Sequence, residues 1–259
     1  MQAHEKIGVA ISAAREAGRT ALVPFITAGY PDTATFVETL QAISTVGDVV
    51  EIGVPFSDPM ADGMTIQRSS HAALQNGVSL KWIFDQLDRV KNRIEAPLVL
   101  MSYINPLLAF GYEELTSRAF ACGVCAFIVP DLPLEECDDL RTALEAKGVG
   151  LIQLVTPATP DDRLKRLAQA SRGFLYAVTV TGITGGSDGP SDDLPSYLDK
   201  VSAASPLPVC AGFGIRKAAD VASVGQHAAG AIVGSALVEV LERGEDPAAF
   251  LKTLIRNIG

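Results

Sequence analysis

The sequence predicts an α/β chain folded as a single (β/α)8 TIM barrel over residues 1–259, with an extra N-terminal helix and long loops after the second and sixth strands. Three observations carry this. Eight runs rich in Val, Ile, Leu and Phe end near Gly, Pro or Asp, and they are almost continuously apolar, as parallel strands are when helices cover their outer face. Segments with helical spacing and charged outer faces lie between them, so strand and helix alternate eight times. The chain has 259 residues, 48% of them apolar, which suits one barrel with a full core, since such barrels commonly run to about 250 residues. An open doubly wound sheet is the alternative assembly of the same units.

Residues 5–16 have helical spacing and precede the first apolar run, so they form the extra helix. The first-half strands are ALVPFIT (21–27), VVEIGV (49–54), PLVLMSY (97–103) and CAFIVPD (125–131). The second half supplies VGLIQLVT (149–156), FLYAVTV (174–180), PVCAGFG (208–214) and GAIVGS (230–235). Helical patterns fill residues 35–45, 80–93 and 161–170, each with apolar positions three or four apart. Two connections break the spacing. Residues 55–79, with VPFSDPMADGMTIQ, follow the second strand, and TGITGGSDGPSDDLP (181–195) follows the sixth. Both leave the carboxyl ends of strands, where barrels of this kind carry their active sites, and the second has the glycine-rich, anchor-poor composition shared by mobile lids and disordered loops.

Acidic residues outnumber basic ones 30 to 21, for a net charge of −9, which argues against a generic binder of nucleic acid or anionic membrane. Cys122, Cys125, Cys137 and Cys210 are too few and too uneven for a disulfide framework, so a reducing, cytoplasmic setting is expected. Charges interrupt the amino end where a signal peptide needs an apolar stretch, and no apolar run is long enough to span a bilayer.

Strand alternation puts Val49, Glu51 and Gly53 on one side and Val50, Ile52 and Val54 on the other. With the fully apolar side toward the helices, Glu51 points into the barrel, where a carboxylate is costly to desolvate and must be paired, wet or kept for a purpose. Asp58 and Asp62 follow in FSDPMADG. Asp58 reads as a turn former, and for Asp62 the spacing suits a turn role and a ligand-facing role equally. The seventh strand ends in Gly212-Phe213-Gly214 and the eighth in Gly234-Ser235, each running into a helical pattern. Backbone amides and helix amino termini at these two ends suit a phosphate site, over which Gly185 of the lid can close, the alternative being that the glycines serve only tight turns. Fixed local dipoles allow anion binding despite the negative net charge. Cys122 and Cys125 form a lone CxxC that reads as ordinary buried cysteines, and His4, His71 and His227 read as surface or cap residues, so no metal site is expected. There is no P-loop, Rossmann fingerprint or lysine in an apolar strand.

Several segments together are similar to one family. They are VEIGVPFSDPMADGMTIQ (50–67), PFITAGYPD (24–32), YINP (103–106), PDLPLEE (130–136), TGITG (181–185), GFGI (212–215) and GSALV (234–238). The chain resembles the α subunit of tryptophan synthase almost end to end. The resemblance implies a lyase of tryptophan biosynthesis that splits indole-3-glycerol phosphate into indole and glyceraldehyde 3-phosphate by a retro-aldol route. It makes Glu51 the catalytic acid and base and Asp62 the carboxylate facing the indole nitrogen. Phe25, Met101, Ile128, Tyr176 and Phe213 fall at positions that shape the indole pocket, and Gly185, Gly214, Gly234 and Ser235 match the phosphate cradle. Thr184 matches the lid threonine that meets Asp62 on closure. The implied partner is a β subunit in an α2β2 heterotetramer. That partner carries pyridoxal phosphate and takes the indole, with no cofactor in this chain. Met64 stands where the family usually has proline, and Ser102 and Ile104 vary the common LMGYYNP. A stand-alone lyase releasing free indole, a non-catalytic activator of the β subunit and a different phosphosugar barrel enzyme are the alternative functions.

Overall fold

All eight apolar runs contain strands, and every ladder between them is parallel. The computed structural model describes residues 1–179, 193–212 and 214–255. The strands are β1 (Ala21–Thr27), β2 (Val50–Gly53), β3 (Leu98–Met101), β4 (Val124–Ile128), β5 (Gly150–Ile152), β6 (Leu154–Val155), β7 (Leu175–Val178), β8 (Val209–Gly212) and β9 (Gly230–Val233). Among the described residues the helices are α1 (Glu5–Glu16), α2 (Phe36–Ser44), α3 (Met64–Gln75), α4 (Leu80–Val90), α5 (Ile104–Phe110) and α6 (Tyr112–Ala121) in the first half. The second half adds α7 (Asp138–Glu145), α8 (Asp161–Ala170), α9 (Leu194–Ala204), α10 (Ala218–Gly225), α11 (Ser235–Glu242) and α12 (Pro247–Leu254).

The sheet runs β5-β4-β3-β2-β1-β9-β8-β7-β6. Its two ends are pieces of one strand, separated only by Gln153, so the order returns on itself as an eight-membered barrel. The break is a local substitution of partners. The Gln153 N–H donates to Ser171 Oγ at 3.0 Å, while the Gln153 carbonyl accepts from the Tyr176 N–H at 3.0 Å. An open doubly wound sheet would have two free edges and is ruled out.

Two apolar clusters divide along the strand alternation. Leu22, Ile26, Val50, Ile52, Leu100 and Phe127 pack outward against helices, with Leu40 of α2 and Ile83, Phe84 and Leu87 of α4 in the same cluster. Val23, Val49, Val99, Ile128, Phe174 and Ile232 fill the inside together with Ile7 and Ile11 of α1, which closes the amino end of the barrel. Each such fully buried side chain contributes about 1.5–3 kcal/mol relative to exposure. A bulge in β4 pairs Leu98 with Val124 but Val99 with Ala126, so Cys125 and Ala126 both belong to the inner cluster. Helix α4 shows why the helices form where they do. Ser79 caps it by accepting from the Trp82 N–H at 3.2 Å, and Leu80, Ile83, Phe84, Leu87 and Val90 are buried at helical spacing.

A connection expected as a loop contains a helix, and a second short helix follows the third strand directly. The segment 55–79 is irregular only at its start, because Met64–Gln75 is α3; its buried residues are Ser69, Ser70 and Ala73, too small and polar to print an apolar period. Ser69 Oγ lies 2.6 Å from Thr27 Oγ1 at the end of β1, which satisfies both buried hydroxyls. Residues 104–110 form α5, where Pro106 falls in the first turn and needs no amide partner, and Gly111 ends it with φ of 84°. Most of the lid at 181–195, including Thr184 and Gly185, lies outside the described residues, as does Phe213; Leu194 and Pro195 open α9.

Candidate active site

Glu51 sits in the middle of β2, paired across the sheet with Phe25 on β1 and Val99 on β3. Val50 and Ile52 belong to the outer cluster and Val49 to the inner one, so the Glu51 side chain points into the barrel. It is 1% exposed, and among the described residues its Oε2 has no hydrogen-bond partner. Burial, and then the charge of Asp62, push its carboxyl up to about 8. Near neutral pH this group is therefore protonated, a proton donor held in an apolar wall.

Asp62 closes the irregular stretch after β2 and is half-buried. Tyr103, immediately before α5, donates its hydroxyl to Asp62 Oδ2 at 3.1 Å, and the Tyr103 hydroxyl oxygen accepts from the Ala61 N–H at 2.8 Å. The ring stacks on Phe56 at 5.1 Å between centroids, so both ends of the loop are gripped by one tyrosine. Gln67 of α3 adds a bond from Nε2 to the Asp62 carbonyl at 2.7 Å. Burial raises the Asp62 carboxyl to about 6, with the Tyr103 hydrogen bond acting the other way. Two carboxyl groups thus look into one barrel mouth with their ionisation pulled apart, the pattern that lets one serve as an acid while the other stays an anion.

The wall around them comes from neighbouring strands. Phe25 is 6% exposed; Met101 and Ile128 pair with each other and with Gly53 and Ile152 in one layer. Tyr176 on β7 is buried, and its hydroxyl is held well above its ordinary pKa, first by burial and then by the charges of Glu51 and Asp62. Gly53 and Gly212 make room for the rings. A Cβ on Gly53 would overlap Phe25, and one on Gly212 would overlap the Tyr176 hydroxyl. Gly212→Ala is expected to force Tyr176 off its position and lower stability by about 1–3 kcal/mol, the range for overpacking. An unchanged urea midpoint would refute that steric reading.

The register Gly212↔Ile232 places Gly214 and Gly234 equally far beyond paired residues on adjacent strands. Gly214 has φ of 80°, a conformation that suits glycine, and the space where a Cβ would stand is open. Gly234 caps α11, whose first intrahelical bond runs from the Leu237 N–H to the Gly234 carbonyl at 2.9 Å, so the Ser235 and Ala236 amides lie ahead of the helix's own ladder. Val238 of α11 packs with Phe25, which joins this amide-rich end to the apolar wall. Phe213, Thr184 and Gly185, the remaining expected members, lie outside the described residues.

The structure brings Glu51, Asp62, Phe25, Met101, Ile128 and Tyr176 to the barrel interior and its carboxyl end, with Gly214, Gly234 and Ser235 at the ends of neighbouring strands. Sequence reasoning missed Tyr103 as a site residue, and it missed Gly53 and Gly212 as the positions that make room for the rings. A tyrosine closing a strand was the one available signal for Tyr103, and a glycine facing inward within a strand was the signal for the other two. Asp58 is exposed, and its carbonyl accepts from the Met60 N–H at 2.9 Å, as a turn former does. Cys122 and Cys125 fall in different clusters, outer and inner, so the CxxC spacing does not make a shared site.

The chain matches the family model described as tryptophan synthase alpha chain over residues 11–258. It is 42% identical over 243 residues to the tryptophan synthase alpha chain of Nitratidesulfovibrio vulgaris (strain DP4), covering 93% of this chain and 95% of that one. The counterpart from Roseiflexus sp. (strain RS-1) is 44% identical over 231 residues, 88% of each chain. Among solved structures it superposes on Mycobacterium tuberculosis tryptophan synthase with a TM-score of 0.88 at 34% identity, covering 96% of both chains. On the tryptophan synthase a2b2 complex of Pyrococcus furiosus the TM-score is 0.83 at 34% identity, over 91% of this chain and 97% of that one. A barrel with an inward acid in its second strand, relatives this similar and a family match across nearly its whole length lead to one conclusion: the chain belongs to the tryptophan synthase alpha chain family.

Proposed function

We propose that this chain is a lyase that cleaves indole-3-glycerol phosphate to indole and glyceraldehyde 3-phosphate, as one barrel domain over its full length. The observation that carries the reading is Glu51, a buried carboxyl poised near 8 beside a carboxyl near 6. Protonated Glu51 delivers its proton to indole C3, which moves positive charge to the ring nitrogen. Asp62, ionised, stabilises that charge. The Glu51 carboxylate then removes the proton of the side-chain hydroxyl on the carbon bonded to C3. The carbon–carbon bond breaks as the aldehyde forms, its electron pair returns to the ring, and Glu51 ends protonated as it began. Phe25, Met101, Ile128, Tyr176 and Phe213 hold the indole in a dry slot, and the amides at Gly214, Gly234 and Ser235, with Gly185 and Thr184 of the lid, hold the phosphate and close the site.

The reading extends to a β subunit in an α2β2 assembly that carries pyridoxal phosphate and receives the indole, with both in the cytoplasm. No helix among the described residues is long and apolar enough to cross a membrane. Residues 55–62, 103–110 and 130–136 form the docking rim, which exposes Met60 and Leu108. Support for coupling comes from the bonds that chain the three segments together, Tyr103 to Asp62 and the Ile104 N–H to Asp131 Oδ1 at 2.9 Å. Met64, 62% exposed, opens α3 at the first helical position, where proline would stiffen the entry. Incubation with indole-3-glycerol phosphate should release glyceraldehyde 3-phosphate slowly, and titration with a β subunit should raise the rate by about tenfold or more if the partner binds the closed form better by at least about 1.4 kcal/mol. A fast chain that ignores the β subunit would discard the subunit reading in favour of a stand-alone lyase. No cleavage under either condition would discard the enzyme.

A further inference from the structure

The two segments that leave β8 and β9 are fastened to each other by side chains. Arg216 forms a bidentate pair with Glu239 of α11, Nη1 to Oε2 at 2.7 Å and Nη2 to Oε1 at 3.0 Å. The backbone of the same loop is held from its other side, where Asp220 Oδ2 accepts from the N–H groups of Arg216 at 2.9 Å and Lys217 at 3.0 Å. Glu239 also receives Thr65 Oγ1 of α3 at 3.4 Å, and one turn further along, Arg68 makes a two-point contact with Glu242. One carboxylate therefore touches the loop that bears Gly214 and the helix that begins two residues after Asp62, and it belongs to the helix that begins at Ser235.

The pair is half-exposed, with side-chain exposures of 56% for Arg216 and 27% for Glu239, so it adds little to global stability. Its consequence is geometric and electrostatic. A site built from backbone amides works only at hydrogen-bond distance, and these bonds weaken steeply once donors move out of line. Left unpaired, Glu239 would also place a negative charge just over one turn into the helix whose amino end faces the anion.

We propose that Arg216 and Glu239 are positioning residues for the substrate phosphate, setting the spacing between the Gly214 loop and the first turn of α11. This rests on the reading of Gly214, Gly234 and Ser235 as the phosphate cradle. The test uses the full chain with Arg216→Ala and Glu239→Ala, singly and together, and the exchanged pair Arg216→Glu with Glu239→Arg. Inorganic phosphate is titrated calorimetrically, so its affinity is read without turnover, and indole serves as the phosphate-free control. Each single variant should weaken phosphate, and raise KM for indole-3-glycerol phosphate, by about threefold to fivefold, the size one such ion pair supports. The double variant should be no worse than either single one, the exchanged pair should recover most of the loss, and indole affinity should not move. Unchanged phosphate affinity in both single variants, or losses that simply multiply in the double, would overturn the positioning role. Phosphate that fails to bind the unaltered chain while cleavage proceeds would overturn the cradle and this role with it, leaving the lyase reading intact.

Discussion

Glu51→Gln is expected to lower indole-3-glycerol phosphate cleavage by about two orders of magnitude or more while the substrate still binds, because glutamine keeps the size and polarity of the side chain and removes the proton carrier. The same carboxyl should shape the pH profile. As pH rises, kcat/KM should increase as Asp62 ionises near 6 and decrease as Glu51 loses its proton near 8. In Glu51→Gln the alkaline limb should vanish along with most of the rate. Stability should move the opposite way. The folded-state pKa of Glu51 lies above its ordinary 4.5, so between about 4.5 and 8 the folded chain holds a proton that the unfolded chain has released. Stability from this group is complete below 4.5 and is lost as pH rises toward 8. Glu51→Gln removes that loss, so its urea midpoint should exceed the parent's at pH 8 and differ less at pH 5. Turnover within a few-fold of the parent would take Glu51 out of the mechanism.

Asp62→Asn should cost about 10²-fold to 10³-fold in kcat, the usual range for removing one preorganised partner of a charge that develops in the transition state. Asparagine can still accept from Tyr103, so loop placement is largely kept and the loss isolates the charge. Tyr103→Phe separates the two effects. It leaves the carboxylate but removes the hydroxyl that lies 3.1 Å from Oδ2 and accepts from the Ala61 N–H at 2.8 Å. Its loss should be smaller than that of Asp62→Asn and should shrink when a β subunit orders the loop. Equal kcat for Asp62→Asn and the parent would remove the anion from the reaction.

What the sequence determined by itself is everything that rests on a local period. The two-residue alternation of VVEIGV sends Glu51 inward, and the burial of Val50 and Ile52 against helices bears this out. Helices α1 and α8 match the residues predicted for them, and α2 and α4 fall within theirs, because an apolar stripe with a charged opposite face is written in neighbouring positions. Where packing uses small or polar residues the period is silent, which is why α3, with Ser69 and Ser70 buried, lies in a stretch that reads as a loop. Only the tertiary structure decided how the barrel closes, through Gln153 turning its amide to Ser171, 18 residues away. It also decided the orientation of Asp62, whose Oδ2 accepts from a tyrosine 41 positions further on. The space at Gly53 and Gly212 has the same origin, for the rings it admits belong to β1 and β7. These features depend on which strand ends become neighbours, and that is set when the sheet closes, by contacts between residues far apart in the chain.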